Sequence, residues 1–316
     1  MATSAPFAPG SISIRLYPHN ELDAPGVVAE LCAQAALALR LGFDGVMTSE
    51  HHGGAPGYLP NPLQMATFVL EENASGWAAA CPLLLPLRPA ALVAEEVAWL
   101  AARHPGRVGL GVAAGALPLD FEAMDVPLAE AVTRFKAELP RLVDMLRGRD
   151  LRGLDGDRAF QQCALSPVPV LSAAVSPAAA RRAARCDAGI LLEGMSPLER
   201  LVEICRAFDE AGGTAPKVLI RRVWIGAAQS ELIERQRRFY QSIGASDRPM
   251  AEDQTLSGDD SGDLADRLGQ LMTDVGADAL NIRIQLPGMA AADVRDQITR
   301  LGTEVLPRLR SRFTLV

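Results

Sequence analysis

The sequence predicts a single (β/α)8 barrel. Strand and helix signals alternate eight times along the chain, no Ser/Gly-rich linker divides it into halves, and the first strand-to-helix turn lacks a glycine-rich fingerprint. Parallel strands need a crossover connection between them, usually a helix, so strict alternation is what a parallel barrel requires. The runner-up, an open doubly wound sheet, expects that fingerprint where this chain has "LYPHNELDAPG". At 316 residues, 49% apolar and 22% charged, the chain is long enough to bury the core of one barrel.

The first strand is "SISIRLY" (Ser11 to Tyr17), followed by the helical "PGVVAELCAQAALALRLG". "DGVMTS" forms the second strand, with a helix from Pro62 to Glu72 after it. The third is "GWAAACPLLL", ahead of the helix "PAALVAEEVAWLAARH", where Pro89 suits the first turn. "RVGLGVAA" is the fourth, and the long helix "LAEAVTRFKAELPRLVDMLRG" should kink or split at Pro140. "PVPVLSA", "AGILLEG" and "KVLIRRVWIG" supply strands five to seven, each leading into a helix. The polar segment "DRPMAEDQTLSGDDSG" has no periodicity and reads as a lid inserted before the last β/α unit, whose strand is "ALNIRIQL".

Charge and cysteine usage narrow the function. A net charge of −7 leaves no basic surface for nucleic acid or an anionic membrane. Cys32, Cys81, Cys163, Cys186 and Cys205 are odd in number and scattered, which points to a reducing cytoplasm rather than a disulfide framework. The N-terminus does not read as a signal peptide, and the apolar window "AAACPLLLPL" is too short to span a bilayer.

In a (β/α)8 barrel the chemistry sits at the C-terminal ends of the strands. His19 follows the first strand, and Glu50, His51 and His52 follow the second, in front of a loop carrying Pro56, Pro60 and Pro62. Three of the four histidines are thus expected at one mouth, where imidazole serves as acid or base near neutral pH. The competing readings are solvated loop histidines and a metal site. Consecutive residues on extended chain point opposite ways, so at most two of Glu50, His51 and His52 could share an ion; no metal is expected. On the last strand Asn281, Arg283 and Gln285 alternate with apolar residues and should face inward, Arg283 either binding an anion or pairing internally.

"GFDGVMTSEHH", "YLPNP", "LLLPLRPAALVAEEVAWLAARHPGRVGLGVAAG" and "PLDFEAM" occur in this order, followed by "SPAAARRAARCDAGILLE" and "GADALNIRIQLPG". Together they resemble the flavin-dependent luciferase-like monooxygenase family over most of the chain. The resemblance implies a barrel that binds reduced FMN, supplied by a separate reductase, and uses O2 to oxygenate a small organic substrate. Two alternatives stay open: hydride transfer with F420, and a noncatalytic flavin-binding partner subunit. It also implies His51 as the acid/base group, with Glu50 and His52 orienting it, and Asp120 as the acidic site position. A cis peptide beneath the flavin ring falls at Cys81-Pro82. Flavin contacts fall on Ala113, Ala114 and Gly115, and on the phosphate loop at Ala174, Val175 and Ser176.

Ser176-Pro177 independently reads as a helix start able to meet a phosphate. The departures are equally specific. Bacterial luciferase has Cys-Arg-Gly where this chain has Ala113-Ala114-Gly115, and Ala173-Ala174 replace a Glu-Ser pair in the phosphate loop. A homodimer is expected through "NPLQMATFVL" and "AALVAEEVAWLAA", whose apolar residues exceed one core-facing stripe.

Overall fold

The computed structural model describes residues 4–53, 57–242 and 255–313. Eight strands close a parallel barrel: β1 (Ile12–Arg15), β2 (Gly45–Thr48), β3 (Trp77–Leu84), β4 (Val108–Ala113), β5 (Val170–Ala173), β6 (Gly189–Leu192), β7 (Lys217–Ile225) and β9 (Ala279–Arg283). β9 pairs with β1 through Ile12↔Leu280 to Arg15↔Arg283, and β6 pairs with β7, so the sheet has no break. The eight barrel strands are those read from the sequence. β8 (Leu256–Gly258) is an addition, laid parallel against the C-terminal end of β7 outside the closed sheet.

The returning helices are α1 (Ala24–Arg40), α2 (Pro62–Glu72), α3 (Ala90–Arg103), α5 (Ala131–Met145), α7 (Pro177–Arg185), α8 (Leu198–Glu210), α9 (Ser230–Ser242) and α11 (Ala291–Arg300). Two short helices, α4 (Pro118–Glu122) and α6 (Arg158–Leu165), extend the β4-to-β5 connection; α10 (Ser261–Val275) precedes β9, and α12 (Leu306–Phe313) closes the chain. Helix starts follow local chemistry. The side chains of Asp23, Asn61, Asp157, Ser176 and Asp260 each accept a first-turn N–H, and four of these five caps fulfil the common pattern of a polar residue before Pro or a small residue. Pro140 does not split α5, which continues unbroken past it. A single missing N–H in a helix whose Phe135, Leu139, Leu142 and Val143 are buried costs less than losing that packing.

Of the polar segment read as a lid, residues 247–254 lie outside the described residues. Its remainder is ordered structure: β8, then the Asp260 cap and the start of α10.

Two apolar layers fill the molecule. One lies between barrel and helices; the other lies inside the barrel and includes Met47, Trp77, Ala79, Cys81 and Val218. Phe7, from the segment before β1, packs edge-on to Trp77 at 5.2 Å and plugs the N-terminal end. Close packing explains two glycines. A Cβ at Gly45 would fall 2.0 Å from the Trp77 ring, and one at Gly111 would fall 2.2 Å from the Cys81 sulfur. With its base plugged, the barrel is open to a ligand at the other end, where the interior turns polar: Asn281 donates to Ser13 Oγ at 2.9 Å and accepts from Arg15 Nε at 2.9 Å.

Candidate active site

At the C-terminal mouth, β2 ends and the chain bends outward through Glu50, His51 and His52. Backbone bonds fix the bend: Glu50 N–H donates to Pro82 O at 3.0 Å and His51 N–H to Leu59 O at 3.0 Å. The His51 side chain then points away from those of Glu50 and His52, as consecutive residues on extended chain must.

His51 turns toward the barrel axis. Its Nδ1 lies 2.8 Å from Asp120 Oδ2, its ring stands edge-on to Tyr58 at 4.3 Å, and its side chain is 20% exposed. Asp120, from α4, is fully buried, and its other oxygen accepts the backbone N–H of His52 at 2.7 Å. One carboxylate therefore clamps two neighbouring residues. With Nδ1 committed to Asp120, His51 presents Nε2 as the ring nitrogen free for a ligand.

His52 turns inward to the protein. Its Nε2 lies 2.9 Å from Glu50 Oε1, which also accepts from Arg88 Nη2 at 2.7 Å, while Glu50 Oε2 accepts from Leu84 N–H. Glu50 is thus the hub that ties β2 to the end of β3, and the carboxylate that orients His51 is Asp120. His19 does not join them. Its ring nitrogens meet Met289 O at 3.2 Å and Gln34 Nε2 at 2.8 Å, so it fastens the β1 loop to α1 and to the loop after β9. Of the three histidines, only His51 lines the cleft.

The peptide Cys81-Pro82 is cis, as expected, and sits at the register shift between Ala80 and Leu83 where β3 bulges against β4. The Cys81 carbonyl accepts from Arg15 Nη1 at 2.6 Å, and Pro82 faces the open cleft. Burial pushes the Cys81 thiol up to about 11, so this cysteine is a packing group rather than a nucleophile.

The cleft offers about 190 Å3 of space and opens to solvent. Tyr17, Ser49, His51, Tyr58 and Pro82 line one side, and Arg15, Arg222, Arg283 and Glu193 carry its charge. Ser49 Oγ is buried and has no hydrogen-bond partner among the described protein atoms. A recess of about 320 Å3 at the plugged end, lined by residues such as Pro6, Ala98, Val108 and Pro169, has no titratable group apart from the Cys163 thiol, which burial pushes up to about 11. Acid–base chemistry has its groups at the mouth.

Ala113 ends β4, Ala114 follows it, and Gly115 turns with φ +76°, where a Cβ would lie 2.8 Å from the Phe121 ring. Ala174 is buried, Val175 follows it, and Ser176 caps α7 by accepting the Ala179 N–H at 3.3 Å. Sequence reading did not single out Arg200, from α8, whose Nη2 reaches the Val175 carbonyl at 3.4 Å and brings a guanidinium to this loop. Arg15 and Arg222 were also missed, although Ser13 and Arg15 alternate with apolar residues along β1 just as Arg283 does on the last strand. No group of His, Cys, Asp and Glu arranged for a metal ion occurs among the described residues.

Residues 11–299 match the sequence signature of the luciferase-like monooxygenases. The chain belongs to that family. The luciferase-like fold is shared with the monooxygenase RslO1 of Streptomyces bottropensis, at TM-score 0.76 and 20% identity over 94% of this chain and 99% of that one. It is shared too with the oxygenating constituent of 3,6-diketocamphane monooxygenase from Pseudomonas putida, solved with FMN, at 0.72 and 16% over 95% and 99%. An F420-dependent secondary alcohol dehydrogenase in complex with an F420-acetone adduct superposes equally well, at 0.73 and 15% over 98% and 99%. Identities this low speak to fold alone. The uncharacterized protein Rv0940c of Mycobacterium tuberculosis is 38% identical over 143 residues, which are 42% of this luciferase-like chain and 49% of that protein. The match thus spans about half the length of these curated relatives. Among the described residues no helix is long and apolar enough to cross a membrane.

Proposed function

We propose that this chain is a monooxygenase that uses reduced FMN and O2 to oxygenate a small organic substrate, with His51 as the proton-handling group. The observation that carries the reading is the His51–Asp120 pair at 2.8 Å, placed at the edge of a cleft whose floor includes Pro82. Reduced FMN, when bound, supplies the electrons and the reaction with O2. The residues fit such a group at two points. Pro82 offers an apolar surface for a flat ring, and the unpartnered Ser49 hydroxyl offers a hydrogen bond to a polar ring atom.

The chain's own contribution is position and proton control. Asp120 holds Nδ1 of His51, which fixes the tautomer and leaves Nε2 to give or take a proton in the cleft. Tyr58, edge-on to the imidazole, keeps the ring from swinging out. The cofactor phosphate would meet the α7 N-terminus behind Ser176, with Arg200 supplying the cation missing at Ala114.

The reading includes two partners, a reductase that delivers reduced FMN and a second copy of this chain. The apolar residues of α2 are spoken for, since Leu63, Met65, Val69 and Leu70 are buried in the core of their own barrel. α3 differs: Leu92 and Trp99, seven residues apart and thus on one face, are 47% and 56% exposed, and they form the dimer surface.

Titration of the protein with reduced FMN, oxidised FMN and F420, followed by mixing with aerated buffer, tests the reaction. Preferential binding of reduced FMN, with an oxygen-dependent absorbance transient that outlives that of free reduced FMN, supports the monooxygenase. Binding of F420 alone, with no response to oxygen, assigns hydride transfer instead.

A further inference from the structure

Three arginines stand side by side on adjacent barrel strands. Arg15 on β1 is the register partner of Arg283 on β9, and Arg283 is the register partner of Arg222 on β7. Neighbouring strands are about 4.8 Å apart, so the row concentrates three positive charges at one level of the barrel. All three line the cleft that contains His51. Like charges placed opposite one another in a sheet are mutually destabilising, and a partly buried charge loses hydration as well.

The surroundings hold these groups in place without neutralising Arg15. Arg15, 2% exposed, donates to Asn281 Oδ1, Cys81 O and Met47 Sδ, and makes no ion pair with any described residue. The guanidinium of Arg283 lies 4.7 Å from the centre of the Tyr17 ring, and Arg222 Nη2 donates to Gln236 Oε1 at 2.7 Å. Glu193 is the acidic side chain among the described lining residues, and its Oε1 already accepts from Ser196 Oγ at 2.7 Å.

We propose that the row Arg15–Arg283–Arg222 is an anion subsite that selects a small organic substrate carrying a carboxylate or sulfonate. Planar guanidinium groups meet such oxyanions through paired N–H donors, and adjacent arginines can share one anion. β7 lies across the barrel from β3 in the strand order, so an anionic end held at Arg222 and Arg283 directs the rest of the substrate toward Pro82 and His51. The proposal rests on the monooxygenase reading only in that substrate and cofactor share this cleft.

Octanoate and 1-octanol, matched in chain length, are the probes, titrated calorimetrically into the protein alone and into the protein saturated with FMN. Octanoate is expected to bind at least roughly tenfold more tightly than octanol, and its affinity should fall with added salt. Arg283→Gln and Arg222→Gln should each weaken octanoate roughly 10- to 100-fold and leave octanol unchanged, with Arg283→Lys between wild type and the Gln variant. Arg222 and Arg283 are both half-buried, and either variant keeps the test alive if the other fails to fold. Equal affinity for the two probes, or insensitivity of octanoate to both variants, would overturn the subsite. Loss of octanoate binding on saturation with FMN would overturn it as well, since the row would then hold the cofactor. Selective octanoate binding by a protein that takes up no flavin would support the subsite and overturn the cofactor reading.

Discussion

Asp120 holds His51 from a position 69 residues later in the chain, with Oδ2 2.8 Å from Nδ1, and with Oδ1 it takes the backbone N–H of the next residue. The imidazole is thereby fixed in rotamer and tautomer together. His51→Ala should keep the fold and most of the flavin affinity but lower turnover roughly 10²- to 10⁴-fold, as loss of an acid–base group does. Stopped-flow and steady-state assays of the variant, alongside fluorescence titration of flavin, separate the two effects; unchanged turnover would remove His51 from the chemistry.

Asp120→Asn tests orientation rather than proton transfer. The amide can still accept the His52 N–H through its oxygen, but its NH2 group facing His51 favours the opposite tautomer. Turnover should drop while thermal stability changes little. Asp120→Ala, in contrast, strands the buried His52 N–H at a cost of about 1–3 kcal/mol, so its melting temperature should fall as well.

Glu50 has a structural task in this geometry. It collects donors from His52, Arg88 and the Leu84 backbone in a fully buried position. Glu50→Ala leaves Arg88 and His52 without their acceptor, and destabilisation of about 3–5 kcal/mol is expected, as for a broken buried pair. Chemical denaturation of the variant is the measurement. A loss below about 1 kcal/mol would show that the hub is dispensable.

The barrel strands were legible in sequence because strands buried on both faces read as apolar runs between turn residues, and eight of them alternate with helices. β8 was not, since "LSG" is too short to show a period and pairs only with the far end of β7. His51, Glu50 and Asp120 came from motifs, yet which carboxylate reaches which imidazole depends on the outward bend after β2, and no spacing encodes that. The arginine row was invisible for a similar reason. Arg15 and Arg283 stand near opposite ends of the chain, and only barrel closure brings them into register.

The thiols give a test of burial. Burial raises Cys32 and Cys205 to about 12 and Cys81 and Cys163 to about 11, and it raises Cys186 too, which alone among the five is only half-buried. At pH 8 all five are therefore largely protonated, and access decides the order of reaction. Iodoacetamide should label Cys186 first in the native protein and Cys81 only on unfolding, as read by peptide mass spectrometry. Early labelling of Cys81 would contradict the packed interior beneath the cis bond.

The proposed dimer surface predicts a change in mass. Trp99, whose indole N–H donates to Asp157 Oδ2 at 3.2 Å, and Leu92 on the same face should be covered by a second chain. Light scattering at micromolar concentration should give twice the 33.6 kDa chain mass, and Trp99→Glu with Leu92→Glu should return it to the single-chain value without loss of helix content. A wild-type monomer would refute the surface.

Ser49 offers a prediction in which stability and binding move in opposite directions. Its hydroxyl is buried at the cleft with no protein partner, and a hydroxyl so placed is penalised by lost hydration. Ser49→Ala removes that penalty from the ligand-free protein, whose stability should rise by up to about 1 kcal/mol. If the hydroxyl is kept to meet a polar atom of the flavin ring, the same change should weaken FMN roughly 3- to 10-fold, the worth of one neutral hydrogen bond. Thermal melts of the apoprotein and fluorescence titrations with FMN report the two quantities separately. A variant that gains stability and binds FMN as tightly as wild type would mean that the flavin ring does not reach Ser49.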